Sequence, residues 1–239
     1  MPTDRTLVTL IDGRLELRAG RLAPRITNQA PDSASITLLA TTALLLGGDH
    51  VAVHIRVGPS QHLLLQDAAA TVAYNGRGLR ATLDTNIELA ANATLVWDAE
   101  PLILSSGAAV HRRLTVCTAT GARLLLRDQL VLGRTREPGG TLTCRTRMTH
   151  NGTPALAEDL MLAPEQLGIG VLGTARILDT AVALGWRPPT PDQGTLFALH
   201  APGSLVRDLV TEAHLSSIPA AWASWRDAIA TPDAVKSRP

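Results

Sequence analysis

The sequence predicts a mainly β fold: a β-helical or sandwich-like all-β domain closed by two short C-terminal helices. Three observations predict it. Strand-like runs recur every ~8–12 residues with turn signals between them. Helical spacing of apolar residues becomes clear only after residue 203. Hydrophobic residues make up 45% of the 239 while aromatics make up 3%, so a sizeable core must be built from Leu, Val, Ile and Ala. An all-β chain of this length reads as a single domain over 1–239, with its helical part at about 203–230.

Taken in order, Leu7–Leu10 and Arg14–Leu17 flank Asp12-Gly13, a hairpin signal. Residues 20–36, with Gly20, Pro24 and Pro31, read as an irregular loop. The best-formed stretch is Leu44–Tyr74. After a Gly47-Gly48-Asp49 turn, Val51, Val53, Ile55 and Val57 alternate with Ala52, His54 and Arg56. A Gly58-Pro59 turn then leads to the apolar run His62–Gln66, and the two runs are expected to pair as an antiparallel meander. Further strands are expected around Leu79–Leu83, Ile87–Leu89, Thr94–Trp97, Pro101–Leu104, Val110–Cys117, Ala122–Leu132 and Leu142–Met148. After Leu156 they are expected at Asp159–Leu162, Gly168–Leu172, Thr174–Leu184 and Thr195–His200. No fixed sequence period marks a regular repeat. Ser204 is placed to cap one helix, with Leu205/Leu209 or Val206/Val210 stacked at four-residue spacing. Pro219 suits the first turn of a second, on which Trp222, Trp225 and Ile229 share a face that either packs on the sheet or forms part of a partner-binding surface. Thr231–Pro239 reads as a frayed tail.

Composition removes several functions. With 22 basic and 21 acidic residues there is no global charge to steer nucleic acid or an anionic membrane, and the scarcity of Phe and Tyr removes base-stacking platforms. Asp4, Asp12 and Glu16 interrupt any signal-peptide core, and no run approaches the ~20 apolar residues of a membrane span, so a cytoplasmic location is expected. Cys117 and Cys144 are then expected as buried reduced thiols, and the sequons at Asn92 and Asn151 as chance matches.

Motifs that carry chemistry are few. Gly168, Gly170 and Gly173 match GxGxxG, but no β-α-β alternation surrounds them, so a glycine-rich turn is the better reading than a dinucleotide site. His50 and His54 share a strand face with Asp49 nearby, which reads as a solvated face rather than a tight metal site. Asp98 and Glu100 offer a carboxylate pair of the kind glycosidases use, and Glu137 sits in the loop 133–140 as a turn residue. There is no GxSxG elbow.

Four ordered blocks carry a resemblance. Leu45-Leu46-Gly47-Gly48-Asp49 with Val51–Val57 and Gly58 is similar to the LLxGGDxVxVxVxVG block of the UreD (UreH) urease accessory proteins. Ala68–Tyr74 resembles that family's small-residue block ending in Tyr, Leu95–Ile103 its Trp-containing strand with a Pro/Glu segment, and Asp128–Arg134 its "E..hLGR" strand and turn. In the second block Leu65-Gln66-Asp67 stands where threonine is usual, Glu100 precedes Pro101 in the third, and Glu137 is out of register in the fourth. The resemblance implies a non-enzymatic scaffold for nickel insertion into apo-urease, bridging the urease subunits and UreF, with UreG docking through UreF. No tightly bound cofactor is implied, only transient nickel, for which oxygen and imidazole ligands are suitable. It makes Asp49 the leading candidate on a nickel path, with Glu100 and Glu137 behind it. A β-sandwich hydrolase or carbohydrate-active enzyme is the alternative.

Overall fold

Asp12 and Gly13, both at positive φ, turn the chain between β1 (Arg5–Ile11) and β2 (Arg14–Arg18), as the sequence predicts. The computed structural model describes residues 5–164 and 172–230. In it a second hairpin follows, β3 (Leu22–Ala30) with β4 (Ser33–Ala40), which corrects the loop expected over 20–36. Pro24 lies on the edge strand β3 and Pro31 in the turn, two places where a missing N–H costs little.

The Leu44–Tyr74 stretch holds a larger correction. Its two strands, β5 (His50–Val57) and β6 (His62–Asp67), do not pair with each other; they belong to different sheets. Both carry a period-2 apolar face. Val53, Ile55 and Val57 of one, and Leu63 and Leu65 of the other, enter the same core cluster. Alternation fixes which face is buried but not whether two strands lie edge to edge or stack across a core, and here they stack.

That corner repeats. The chain continues through β7 (Thr71–Ala73), β8 (Ala81–Leu89), β9 (Thr94–Asp98), β10 (Leu102–Leu104), β11 (Ala109–Thr118), β12 (Arg123–Leu132), β13 (Thr141–His150) and β14 (Thr153–Leu162). Then come β15 (Ile177–Leu184), β16 (Thr195–Ala198) and β17 (Gly203–Val210). Among the described residues one sheet has seven strands in the order β14-β13-β11-β8-β5-β1-β2, and the other is ten-stranded, with the main path β16-β17-β15-β12-β9-β6-β4-β3, β10 beside β12 and β7 beside β10. The centre of each sheet is parallel. Val51, Leu83, Arg112 and Cys144 stand side by side, so the coil recurs after 32, 29 and 32 residues. A solenoid with unequal coils leaves no fixed period to find in the sequence. Antiparallel strands close both sheets.

At the start of the first coil Gly47 meets Gly76: a Cβ on Gly47 would lie 2.5 Å from the Gly76 carbonyl oxygen. The close approach of two backbones, rather than turn conformation alone, requires glycine there.

The C-terminus differs from expectation in one element. Residues 203–210 form β17, not a helix, and the helical part reduces to a 3-10 turn at Ala213–Leu215 and α1 (Ile218–Ala230). Leu205 faces the sandwich core and Val206 faces α1, so the first half of this strand is buried on both sides, and its adjacent apolar pairs Leu205-Val206 and Leu209-Val210 fit four-residue stacking as well as a strand. The second helix is where it was expected. Ile218, Trp222, Trp225 and Ile229 pack on Val96, Leu125, Ala181 and Val206 on the outer face of the ten-stranded sheet. The Asp208 carboxylate accepts the Ser217 N–H (2.6 Å) and hydroxyl (2.7 Å), placing a negative charge at the helix start.

Cys144 is buried and Cys117 exposed, both as free thiols, so the expectation holds for bonding but not for the burial of Cys117. Of the strand expected at Gly168–Leu172, residues 168–171 lie outside the described residues and Leu172 falls in a turn; most of the GxGxxG run and the tail 231–239 also lie outside them.

Candidate functional site

The ten-stranded sheet has a break in it. β6 and β7 are one line interrupted at residues 68–70, and β9 and β10 another interrupted at 99–101, while β12 runs beside them uninterrupted. Between the same two register points β12 advances three residues (Arg127 to Leu130), β9–β10 four (Asp98 to Leu102) and β6–β7 five (Gln66 to Thr71). Each coil thus carries one residue more than the next, and extra residues without ladder partners open a sheet locally. Pro101 fits such a gap, having no N–H to offer.

Behind the break lies a cavity of about 380 Å³ between the sheets. Ala68, Ala69, Ala70 and Glu100 make its exposed rim. Most of its wall is aliphatic. Asp67, Arg112 and Asp128 bring charge to it.

These charges share a level in the core. By register, Asp128, Thr180 and Arg207 fall on one rung of the ten-stranded sheet, and Asp67, paired with Leu38, lies like Asp128 one residue past the last Gln66–Asp98–Arg127 rung. The rung separates two apolar clusters, one holding Leu65, Trp97, Leu126 and Val182, the other Leu102, Leu130 and Leu178. From the opposite sheet Arg112 reaches Asp128, and Glu158 meets Arg207 (2.7 and 3.0 Å). A buried charge persists only when paired and hydrogen-bonded, and both interior carboxylates obey that rule.

Asp67 is different. It accepts hydrogen bonds from Trp97 Nε1 (3.3 Å) and the Glu100 N–H (3.2 Å), with no salt bridge seen to it among the described residues. Burial pushes its carboxyl up from 3.8 to about 6; the two hydrogen bonds and Arg112 act against that, and Glu100 adds to it. A folded-state value above the unfolded one contributes stability that is complete below pH 3.8 and is lost as pH rises through 6. Asp67→Asn should therefore gain on the wild type between pH 4 and pH 6.5, by at most about 3 kcal/mol. Urea unfolding at the two ends of that window measures it, and parallel curves would remove the claim.

The three sequence candidates do not meet. Asp49 is buried at its turn: Oδ2 accepts the Leu46 N–H (2.9 Å) and Oδ1 pairs with Arg21 (3.0 Å). Glu137 sits in the loop after β12, where the Arg134 guanidinium, followed by the Arg134 and Ser106 N–H groups, holds its carboxyl down at about 2. Glu100 alone reaches the cavity. Among the described residues no three His, Cys, Asp or Glu side chains gather into a metal-binding group. His50 and His54 lie on the outer face of β5, bonded to Thr82 (2.8 Å) and Glu88 (3.1 Å). Sequence reasoning passed over Asp67, Arg112 and Asp128 as site residues.

A model of the UreD urease accessory protein family matches residues 17–230 of this sequence, nearly its whole length. The chain belongs to that family. It is 42% identical over 221 residues to urease accessory protein UreD 1 of Streptomyces griseus, covering 89% of this chain and 87% of that protein. Urease accessory protein UreD 1 of Saccharopolyspora erythraea is 32% identical over 220 residues, 84% of this chain and 85% of that one. UreD 2 of the same organism is 35% identical over 164 residues, and there the match spans 65% of this chain and 58% of its relative. All four sequence blocks fall inside the matched region. No helix among the described residues is long and apolar enough to cross a membrane.

Proposed function

We propose that this chain serves nickel insertion into apo-urease as a non-catalytic scaffold. In this reading it bridges the urease subunits and UreF, with UreG docking through UreF, and nickel passes transiently through its interior as cargo. Membership of the UreD family supports the urease part. The observation that carries the transit part is the opening in the ten-stranded sheet, where Asp67 and Glu100 stand at the entrance of an inter-sheet cavity. Carboxylate oxygens bind a divalent cation, and two of them without a fixed cage release it again. Asp49 sits in the turn of the first block but is held by Arg21, so its part in the path requires that pair to open.

The test is urease maturation in cells that supply the other components. Deleting this gene should abolish active urease and its nickel content, and the wild-type chain should restore both while co-purifying with UreF and urease. Asp67→Asn/Glu100→Gln should co-purify equally well yet lower nickel content several-fold. Asp49→Asn keeps an acceptor for the Leu46 N–H and removes only the charge, which makes it a cleaner probe than alanine. Failure to recover either partner would sink the scaffold reading, and full activation by the double variant would sink the entrance.

A further inference from the structure

The two arginines that bridge the sheets at this level, Arg112 from one and Arg207 from the other, are held in unlike ways. Arg207 is locked: Nη1 and Nη2 fork onto the two oxygens of Glu158 at 2.7 and 3.0 Å, and Nε donates to Thr180 Oγ1 at 3.2 Å. Arg112 grips Asp128 with one nitrogen, Nη1, at 2.8 and 2.7 Å from the two carboxylate oxygens. Its Nε is buried with no partner. A fork uses the planar donors of guanidinium fully, and a single-nitrogen grip does not. Arg112 also stands in the cavity wall with room beside it, whereas Arg207 does not line that cavity.

What lies next to Arg112 gives the grip a consequence. Of the three carboxylates lining the cavity, Asp67 and Glu100 are at the break and Asp128 is the one Arg112 covers. On the neighbouring strand, in register with Arg112 and facing the same core, is the thiol of Cys144. A carboxylate and a thiol around one cation would hold nickel far more tightly than two rim carboxylates, since a sulfur ligand suits the borderline and softer metals.

We propose that Arg112 gates the cavity: its guanidinium occupies on Asp128 the place an incoming divalent cation takes. Cations reach Asp67 and Glu100 but are kept from Asp128 and Cys144 until the single-nitrogen grip is released. The inference rests on the nickel-transit reading for its cargo, and it adds to that reading the residue that keeps the path from becoming a trap.

Equilibrium dialysis of the purified full chain against nickel alone tests it. The wild type is expected to hold nickel weakly. Arg112→Met, similar in length and uncharged, should bind about tenfold or more tightly. It should also show a thiolate-to-nickel absorption band that disappears in Arg112→Met/Cys144→Ser. Arg112→Lys keeps the charge and should match the wild type. Equal affinity in the wild type and the Met variant, or a band that survives loss of Cys144, overturns the gate. If Arg112→Met does not fold, Asp128→Asn decides: it frees the guanidinium towards Asp67 and Glu100, so nickel should bind about threefold or more weakly than to the wild type. Unchanged binding there also overturns the proposal. Maturation of urease by the wild-type chain is scored separately. If it is restored while Arg112→Met and wild type bind nickel alike, the gate fails and the transit reading stands. If the binding shifts appear but the wild-type chain does nothing for urease, the reverse holds.

Discussion

Trp225→Ala is expected to destabilise the protein by about 3–5 kcal/mol, the range for truncating a fully buried large aromatic. Trp225 is 0% exposed at the centre of the contact between α1 and the ten-stranded sheet. Its Nε1 donates to the Pro189 carbonyl (2.9 Å), tying the helix also to the proline-rich segment before β16. Truncation removes the packing on Leu125, Ala181 and Val206 and leaves that carbonyl without its donor. A 13-residue helix is marginal without tertiary support, so α1 should lose helicity along with stability. Trp222 provides the control. It is also buried, but its Nε1 has no partner, so Trp222→Phe discards an unsatisfied donor while keeping most of the ring. Urea unfolding with far-ultraviolet circular dichroism should show a large loss for Trp225→Ala and a change under about 1 kcal/mol for Trp222→Phe. A loss for Trp222→Phe as large as that for Trp225→Ala would show that the part of the Trp222 indole that Phe lacks carries packing outweighing its unsatisfied donor.

How the sequence relates to the fold is clearest at particular residues. Alternation located the strands, because inner-facing Val53, Ile55, Leu63 and Leu65 must be apolar wherever their strands go. It could not assign partners: β5 pairs with β1 and β8, which are distant in sequence, and the short Gly58-Pro59 connection suits a corner as well as a hairpin. The strand β17 shows no period of 2 because its first half, Gly203–Val206, is buried on both faces. The cavity charges had a signal that went unused. Asp67 continues the inward series Leu63, Leu65; Arg112 lies between Val110 and Leu114; Asp128 lies between Leu126 and Leu130. A charged residue on the apolar face of an alternating strand is costly to bury and calls for a partner or a function. Asp49 drew attention instead because it stands in a motif, and its turn bond and Arg21 pair account for much of that position structurally.

The same rule applies on the outer side of the ten-stranded sheet, and it gives the second large effect. Asp179 is 0% exposed, and its Oδ2 accepts Gln129 Nε2 (2.8 Å), Ser216 Oγ (2.8 Å) and Arg127 Nη2 (3.3 Å), while Oδ1 has no partner. Among the described residues Arg127 is the cation seen in a salt bridge with it. Arg127→Met keeps the aliphatic length and should cost about 3–5 kcal/mol, because it strands a carboxylate out of water. Arg127 itself would lose less on removal of Asp179, since it is partly exposed and has Asp98 at 3.9 Å. Adding Asp179→Asn to Arg127→Met removes the charge and keeps an oxygen for Gln129 and Ser216, so the double variant should recover most of the loss. Ser216 stands two residues before α1 and its Oγ accepts the Ile218 N–H, so this carboxylate also anchors the start of the helix whose middle Trp225 secures. A double variant no more stable than Arg127→Met would show that the arginine acts through packing of its stem rather than through its charge.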